Sequence, residues 1–288
     1  MALYTNVHGL PDAFVNAVLN DPYTGGGDIS VTKLIDAPKR RTLYRLNKEH
    51  VVEDVSERVW SLMGQAVHAV LERAQTTARI EERLYADVEG WKLSGQFDRL
   101  HVEDRTLQDW KVCSVYKAGG DDGWTRQLNV LRWLAIKNGY EIDRLQVVAI
   151  FRDWKRSESL RRDDYPRQAI QIIEVPVWSV EECERYVNER VSAHKRSDSG
   201  EDIECSEEER WYSGTTYALM KDGGKRAKRV VPILADLGEI PPGHHVQERP
   251  GKNRRCEEYC EVAPFCAQWQ AIKASQPTTG EDSNDVDF

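Results

Sequence analysis

At 288 residues the chain can bury a sizeable core, and one large domain, or one domain with an appendage, is the natural size class. A formal charge of −8 argues against general charge-driven nucleic-acid binding, and no run approaches the roughly 20 apolar residues that cross a bilayer. No early run reads as a secretory signal and six cysteines are few for a disulfide scaffold, so the expectation is a soluble cytoplasmic protein in a reducing compartment, away from membranes.

Ser30 caps a helix start at Val31-Thr32-Lys33-Leu34, and the stretch from Val55 to Ala74 places Val59, Leu62, Ala66 and Val70 at helical spacing. Three strand-like runs follow, Ile80 to Val88, Trp91 to Val102 and Thr106 to Val112, before helical periodicity returns over Trp124 to Lys137. Leu145 to Phe151 and Gln168 to Val177 read as further strands, separated by the charged stretch Arg152 to Arg167. Ser179-Val180-Glu181-Glu182 is a capping box that opens a helix to about His194. From Ser197 to Pro250 the pattern predicts loops, a short helix over Glu207 to Met220, and turns at Gly223-Gly224 and Pro241-Pro242-Gly243.

These elements predict an α/β chain whose mixed central β-sheet is flanked by helices and followed by a cysteine-bearing region. The expected division is a core with an N-terminal helical part over 1–200, a cysteine region packed on that core over 201–274, and a disordered acidic tail over 275–288. Basic runs at Lys39 to Lys48, Arg152 to Arg162, Lys221 to Arg229 and Arg249 to Arg255 allow a basic groove on an acidic protein.

Chemistry concentrates at Asp109-Trp110-Lys111 and Gly95-Gln96-Phe97-Asp98. Alternation along a strand puts Asp109 and Lys111 on one side, and a hairpin through Val102 to Arg105 brings Asp98 beside them. Aspartate is depleted in strands, so two of them among apolar neighbours need a reason. Paired carboxylates with an ammonium suit Mg²⁺ or Mn²⁺, with Lys111 orienting or deprotonating a water. Glu82 is a further candidate carboxylate, although a solvent-facing strand residue is the plainer reading. His68 lies one helical turn after Gly64, and a glycine that costs about 1 kcal/mol inside a helix calls for close approach of another element or of DNA. Trp124, Gln127 and Trp133 share the next helix, where tryptophans serve either as core or as stacking surfaces.

Cys256, Cys260 and Cys266 supply three thiolates, and Cys205 is taken as the fourth. Cys183 falls on the inner face of its helix, and Cys113 shares the strand face of Lys111; both read as core. Thiolate ligation permits zinc, which His244 and His245 could supplement, as well as iron.

The order of these motifs, Gly64-x-x-x-His68, Gly95-x-x-Asp98, Asp109-x-Lys111, a helix beginning near Gln127 and a trailing cysteine cluster, resembles the PD-(D/E)XK nuclease superfamily. Its RecB-like branch, with bacterial recombination nucleases, CRISPR-associated exonucleases and phage homologues, is the part it looks like. The likeness runs from about Ser30 to Cys266 and implies a restriction-endonuclease-like core. It implies that His68, Asp98, Asp109 and the backbone carbonyl of Trp110 hold Mg²⁺ or Mn²⁺, that Lys111 is the catalytic lysine, and that Gln127 positions DNA. The family's Gln-x-x-x-Tyr has Leu131 at the tyrosine position here, and the family's isolated upstream cysteine has no counterpart, since none precedes Cys113. With Cys205 in that role, the resemblance implies a 4Fe–4S cluster on Cys205, Cys256, Cys260 and Cys266, with zinc as the alternative. The implied activity is a metal-dependent deoxyribonuclease, an exonuclease on single-stranded DNA or DNA ends in recombination, replication or repair. The alternatives are a structure-specific DNA endonuclease and a non-cutting DNA- or partner-binding protein of the same fold. The tail Asp285-Val286-Asp287-Phe288 resembles tips of single-stranded-DNA-binding proteins that dock onto replication or recombination partners.

Overall fold

The computed structural model describes residues 3–20, 25–73 and 77–275, so Ala74 and the acidic tail with its docking reading lie outside the described residues. The described residues fall into two compact units, one drawn from Met1–Thr42 and Glu49–Ile203 and the other from Leu43–Lys48 and Glu204–Phe288.

In chain order the first unit comprises β1 (Leu3–Thr5), α1 (Asp12–Leu19), β2 (Ile29–Ser30), α2 (Val31–Leu34), the start of α3 (Pro38–Asn47), β3 (Val52–Asp54), α4 (Val59–Leu71), β4 (Arg79–Val88), β5 (Trp91–His101), β6 (Thr106–Cys113), α5 (Asp122–Lys137), β7 (Arg144–Phe151), α6 (Arg156–Arg161), β8 (Ile170–Val175) and α7 (Val180–Asp198). The mixed α/β architecture with helices flanking a central mixed sheet is as expected from the sequence. Ser30 does cap α2, accepting from the Lys33 amide, but α2 is a single turn of four residues. The apolar run from Val55 opens with a 3₁₀ turn, Val55–Arg58, before α4 begins. Where only a basic run was visible in the sequence, Pro38 starts α3, a position its fixed φ suits.

The main sheet has the order β2-β5-β6-β7-β8, with β4 pairing β5 off that path. β6 and β7 are parallel over their whole length, from Thr106↔Arg144 to Cys113↔Phe151. By contrast, β5 and β6 pair only over Arg99↔Gln108, Leu100↔Leu107 and His101↔Thr106, next to the hairpin turn. Beyond that point β5 pairs with β2 at Leu93 and Ser94 instead, so the sheet splits between β5 and β6. The core of this unit includes Leu93, Phe97, Leu107, Leu145 and Val147 of the strands with Leu128, Leu131, Leu134, Val187 and Val191 of α5 and α7. Gly95 explains part of that seam. A Cβ there would lie 2.6 Å from Leu131 and 2.8 Å from Leu134 and Val31, inside van der Waals contact.

The second unit takes the end of α3 and contains β9 (Thr216–Lys221), β10 (Ala227–Val231), β11 (His244–Arg249) and α8 (Ala267–Ser275). The helix expected over Glu207 to Met220 is not formed: residues 207–210 make a turn, Trp211 and Gly214 take left-handed φ of 52° and 79°, and β9 follows as the central strand of an antiparallel β10-β9-β11 sheet. Thr215-Thr216-Tyr217 favours a pleated strand over a helix, which is the local reason. The Gly223-Gly224 turn expected from the sequence joins β9 to β10.

Candidate active site

The split between β5 and β6 leaves the backbone of Trp110 without a ladder partner on that side. Its amide donates to Asp98 Oδ2 at 2.6 Å, and its carbonyl oxygen lies 3.3 Å from His68 Nε2. A strand residue points both backbone groups to the same side, so opening the ladder presents an amide and a carbonyl together. The alternation of β5 slips at the same place: Leu93, Gly95 and Phe97 are buried, and then Leu100 rather than Arg99. Opposite, Glu81 holds φ at 51°, a conformation of which non-glycine residues make sparing use. Irregular strands of this kind re-aim side chains beside functional sites.

Around this opening His68, Glu81 and Asp98 each offer one ligand atom, all within 4.8 Å of one another. His68 Nδ1 is 3.3 Å from Glu81 Oε1 and 3.6 Å from Asp98 Oδ1, and Gln96 holds the other Glu81 oxygen at 2.6 Å. Asp109, 2% exposed, meets the Lys111 ammonium at 2.6 Å through Oδ2 and accepts from Gln127 Nε2 at 3.1 Å through Oδ1. The expected residues thus meet as two adjoining groups, His68, Asp98 and the Trp110 carbonyl in one and Asp109, Lys111 and Gln127 in the other.

Electrostatics joins them. Burial, then the neighbouring charge of Asp109, pushes the Asp98 carboxyl up to about 7. The hydrogen bond to Glu81 raises the His68 pKa against the opposing effect of burial, with the charge of Asp98 adding to it. For Lys111 burial pulls the pKa down, but the charges of Asp109 and Asp98 outweigh it and the net direction is up. Buried carboxylates that repel one another in this way favour a proton or a cation between them.

Glu82, the carboxylate singled out in the sequence, belongs elsewhere. It stands opposite Phe97 and accepts from the Tyr140 hydroxyl at 2.8 Å, while Arg79 approaches at 3.4 Å. Glu81 occupies the place beside His68. The signal that finds it is the two-residue turn Glu89-Gly90, both with positive φ, which pairs Val88 with Trp91 and, counted seven residues back along each strand, sets Glu81 against Asp98. Trp124 and Trp133, at 8% and 4% exposure, are core rather than stacking surfaces.

No protein-family model and no curated protein matches the chain. Among solved structures the chain is similar to the crystal structure of SSO0001, at 16% identity and a TM-score of 0.46, over 69% of this chain and 87% of that one. It is also similar to a candidate exonuclease from Eubacterium rectale, at 14% identity and a TM-score of 0.32 over 60% and 64% of the two chains. A phage-related exonuclease from Haemophilus somnus 129PT gives 14% identity and a TM-score of 0.30 over 65% and 79%. Likenesses of this size decide neither fold family nor activity.

In the second unit no disulfide joins any cysteine. Burial, then the charges of Glu209, Cys266, Cys256 and Cys260, pushes the Cys205 thiol up to about 12, and burial with Cys260 and Cys266 pushes Cys256 up to about 11. The four cysteines are thus electrostatic neighbours, although among the described residues no three of their sulfurs lie within 4.8 Å of one another. The side chain of Gln268, on the first turn of α8 beside Cys266, bonds both backbone groups of Cys205, accepting from its amide and donating to its carbonyl at 2.9 Å each. His244 and His245 sit on β11, where His245 bonds Asp222 at 2.8 Å. Cys183 is core as expected, its thiol donating to the Asn129 carbonyl, and Cys113 is buried.

Proposed function

We propose that this chain is a metal-dependent DNA nuclease with a restriction-endonuclease-like core, acting as an exonuclease on single-stranded DNA or DNA ends. One observation carries the reading: the broken β5–β6 ladder gathers imidazole, carboxylate and backbone-carbonyl donors next to an aspartate–lysine pair. The motif order Asp98, Asp109, Lys111 supports it from the sequence side.

The donor set fits a hard divalent cation such as Mg²⁺ or Mn²⁺, with His68, Glu81, Asp98, Asp109 and the Trp110 carbonyl as holders. Bound there, the cation would supply charge for the phosphate oxygens and a more acidic water. Lys111, with three N–H donors beside Asp109, orients the attacking water and steadies charge on the phosphodiester. Gln127 fixes the Asp109 carboxylate so that one oxygen stays turned to Lys111. Asp98 locks the Trp110 amide and keeps the adjoining carbonyl pointed into the opening. In the second unit, the neighbouring thiols of Cys205, Cys256, Cys260 and Cys266 have the donor chemistry of an all-thiolate metal group, read here as a 4Fe–4S cluster with zinc as the alternative.

The test uses end-labelled linear and circular DNA with Mn²⁺, Mg²⁺ or EDTA. Wild type should degrade linear strands with metal and spare circles, and Asp109→Ala or Lys111→Ala should lower the rate by at least about 100-fold at unchanged circular dichroism. Full activity in either variant, or cleavage in EDTA, refutes the reading, and cleavage of circles selects the endonuclease.

A further inference from the structure

An exposed tryptophan by itself says little. Trp60, at the start of α4, is 52% exposed, and the Arg152 guanidinium lies over its ring at 4.0 Å. Arg152 directly follows β7, where its amide donates to the Cys113 carbonyl at 3.0 Å, tying it to the end of β6, the strand that carries Asp109 and Lys111. The next turn after β6 holds Tyr116, 94% exposed, on a loop pinned by Asp153, which accepts from the Ser114 hydroxyl at 2.6 Å and the Val115 amide at 2.9 Å. Lys155 and Arg156 are exposed just beyond. Aromatic faces and cations are thus gathered at the carboxyl ends of β6 and β7, where open α/β sheets take their ligands.

Gly64 adds an independent mark. It lies four residues after Trp60 and four before His68, so the three share one side of α4. A Cβ at Gly64 would meet nothing within 4 Å, so among the described residues no element occupies the space that the missing side chain leaves. The helix therefore carries an open track from Trp60 to His68, about 12 Å along its axis at 1.5 Å per residue.

We infer that Trp60, with Arg152 stacked on it, is a base-stacking platform for single-stranded nucleic acid running along α4 to the carboxylates, with Tyr116 as a second aromatic contact. This rests on the nuclease reading for what happens at the carboxylates, but the stacking itself does not. A base can stack on the open ring face or on the guanidinium plane, and the cation also meets the strand's phosphates. The track of about 12 Å spans three to four stacked nucleotides at about 3.4 Å each, so affinity should climb until a strand is about that long and flatten after it.

The experiment measures binding in EDTA, by anisotropy, of a fluorescein-labelled oligothymidylate and of an abasic strand of equal length. Trp60→Ala should weaken the base-bearing strand roughly 5- to 100-fold and the abasic strand less than about twofold, with Trp60→Phe recovering most of the loss. Arg152→Ala should weaken both strands, because it removes a phosphate contact as well, and thermal midpoints confirm folding. Equal loss for both strands in Trp60→Ala, or no loss for either, overturns the inference, as does wild-type protein that binds the two strands alike. A protein that shows the base-dependent loss yet never cleaves DNA would remove the nuclease reading and leave the platform standing. Cleavage with base-independent binding would do the reverse.

Discussion

Two glutamates one position apart face different neighbours. Glu81 faces His68 and Asp98, whereas Glu82 holds the Tyr140 hydroxyl. Replacing Glu81 by Gln keeps size and hydrogen bonding but removes the charge, and should raise the Mn²⁺ concentration for half-maximal cleavage by at least about tenfold, the scale on which changes around a metal act. Glu82→Gln should leave it within about twofold, and equal effects of the two would show that the opening is not the metal site. The Asp98, Asp109 and Lys111 set was legible because acidic residues in apolar strands violate composition, and such violations are visible in a sequence. Glu81 is harder to read because Glu-Gly is a weaker hairpin signal than Asn-Gly or Asp-Gly, and a register error of one residue moves a side chain to the other face.

At the scale of elements, β5 depends on a glycine and α2 on a histidine. Gly95→Ala puts a methyl against Leu131, Leu134 and Val31, and overpacking of that kind costs about 1–3 kcal/mol, to be read as a lower urea midpoint at unchanged slope. An unchanged midpoint would mean the α5 seam is slack. His194 of α7 is fully buried, and because a carbonyl can only accept, Nε2 must donate to the Leu34 carbonyl at the end of α2, at 3.1 Å. Arg190 donates to the same carbonyl at 3.0 Å. Protonating Nδ1 would add a buried charge with no hydrogen-bond acceptor for it among the described residues; burial first, and then the charges of Arg190 and Arg41, hold the pKa down to about 4 against the opposing pull of the Leu34 carbonyl hydrogen bond and the charge of Asp198. A depressed histidine pKa means the unfolded chain binds the proton first, so this stability is complete above about pH 6.5 and is lost as pH falls toward 4, to a total of about 3 kcal/mol. Urea midpoints across that window should fall more steeply for wild type than for His194→Gln, and parallel curves would remove the assignment. The strands and long helices of the first unit were legible because period-2 and period-3.6 patterns survive over eight or more residues. The β9–β11 sheet was not, since Lys, Arg and Glu interrupt its short strands and leave no alternation to count.

Across the molecule, two donor sets of opposite character are kept in separate units. Oxygen and imidazole donors of the first unit suit hard divalent cations, and the thiols of the second suit soft ones. The second unit has little else to hold it. Among its described residues the buried apolar ones are few, including Ala218, Met220, Val231, Leu237, Val262 and Trp269, and three of its four cysteines lie between Arg255 and Ala267 in short turns. A small loop-rich unit with so modest a core generally needs a metal or disulfides, and it has no disulfide. Metal binding there would then be folding free energy, with protons released as buried thiols ionise. EDTA should therefore stop DNA cleavage reversibly without changing hydrogen exchange over residues 204–275. Stripping the thiolate metal with a mercurial, or replacing Cys205 and Cys266 by Ser, should raise exchange there while β5, β6 and β7 stay protected. Iron with acid-labile sulfide in the untreated protein identifies the cluster, and zinc alone replaces it with the tetrahedral alternative. Unchanged exchange after complete removal of metal would show that the four cysteines stabilise nothing.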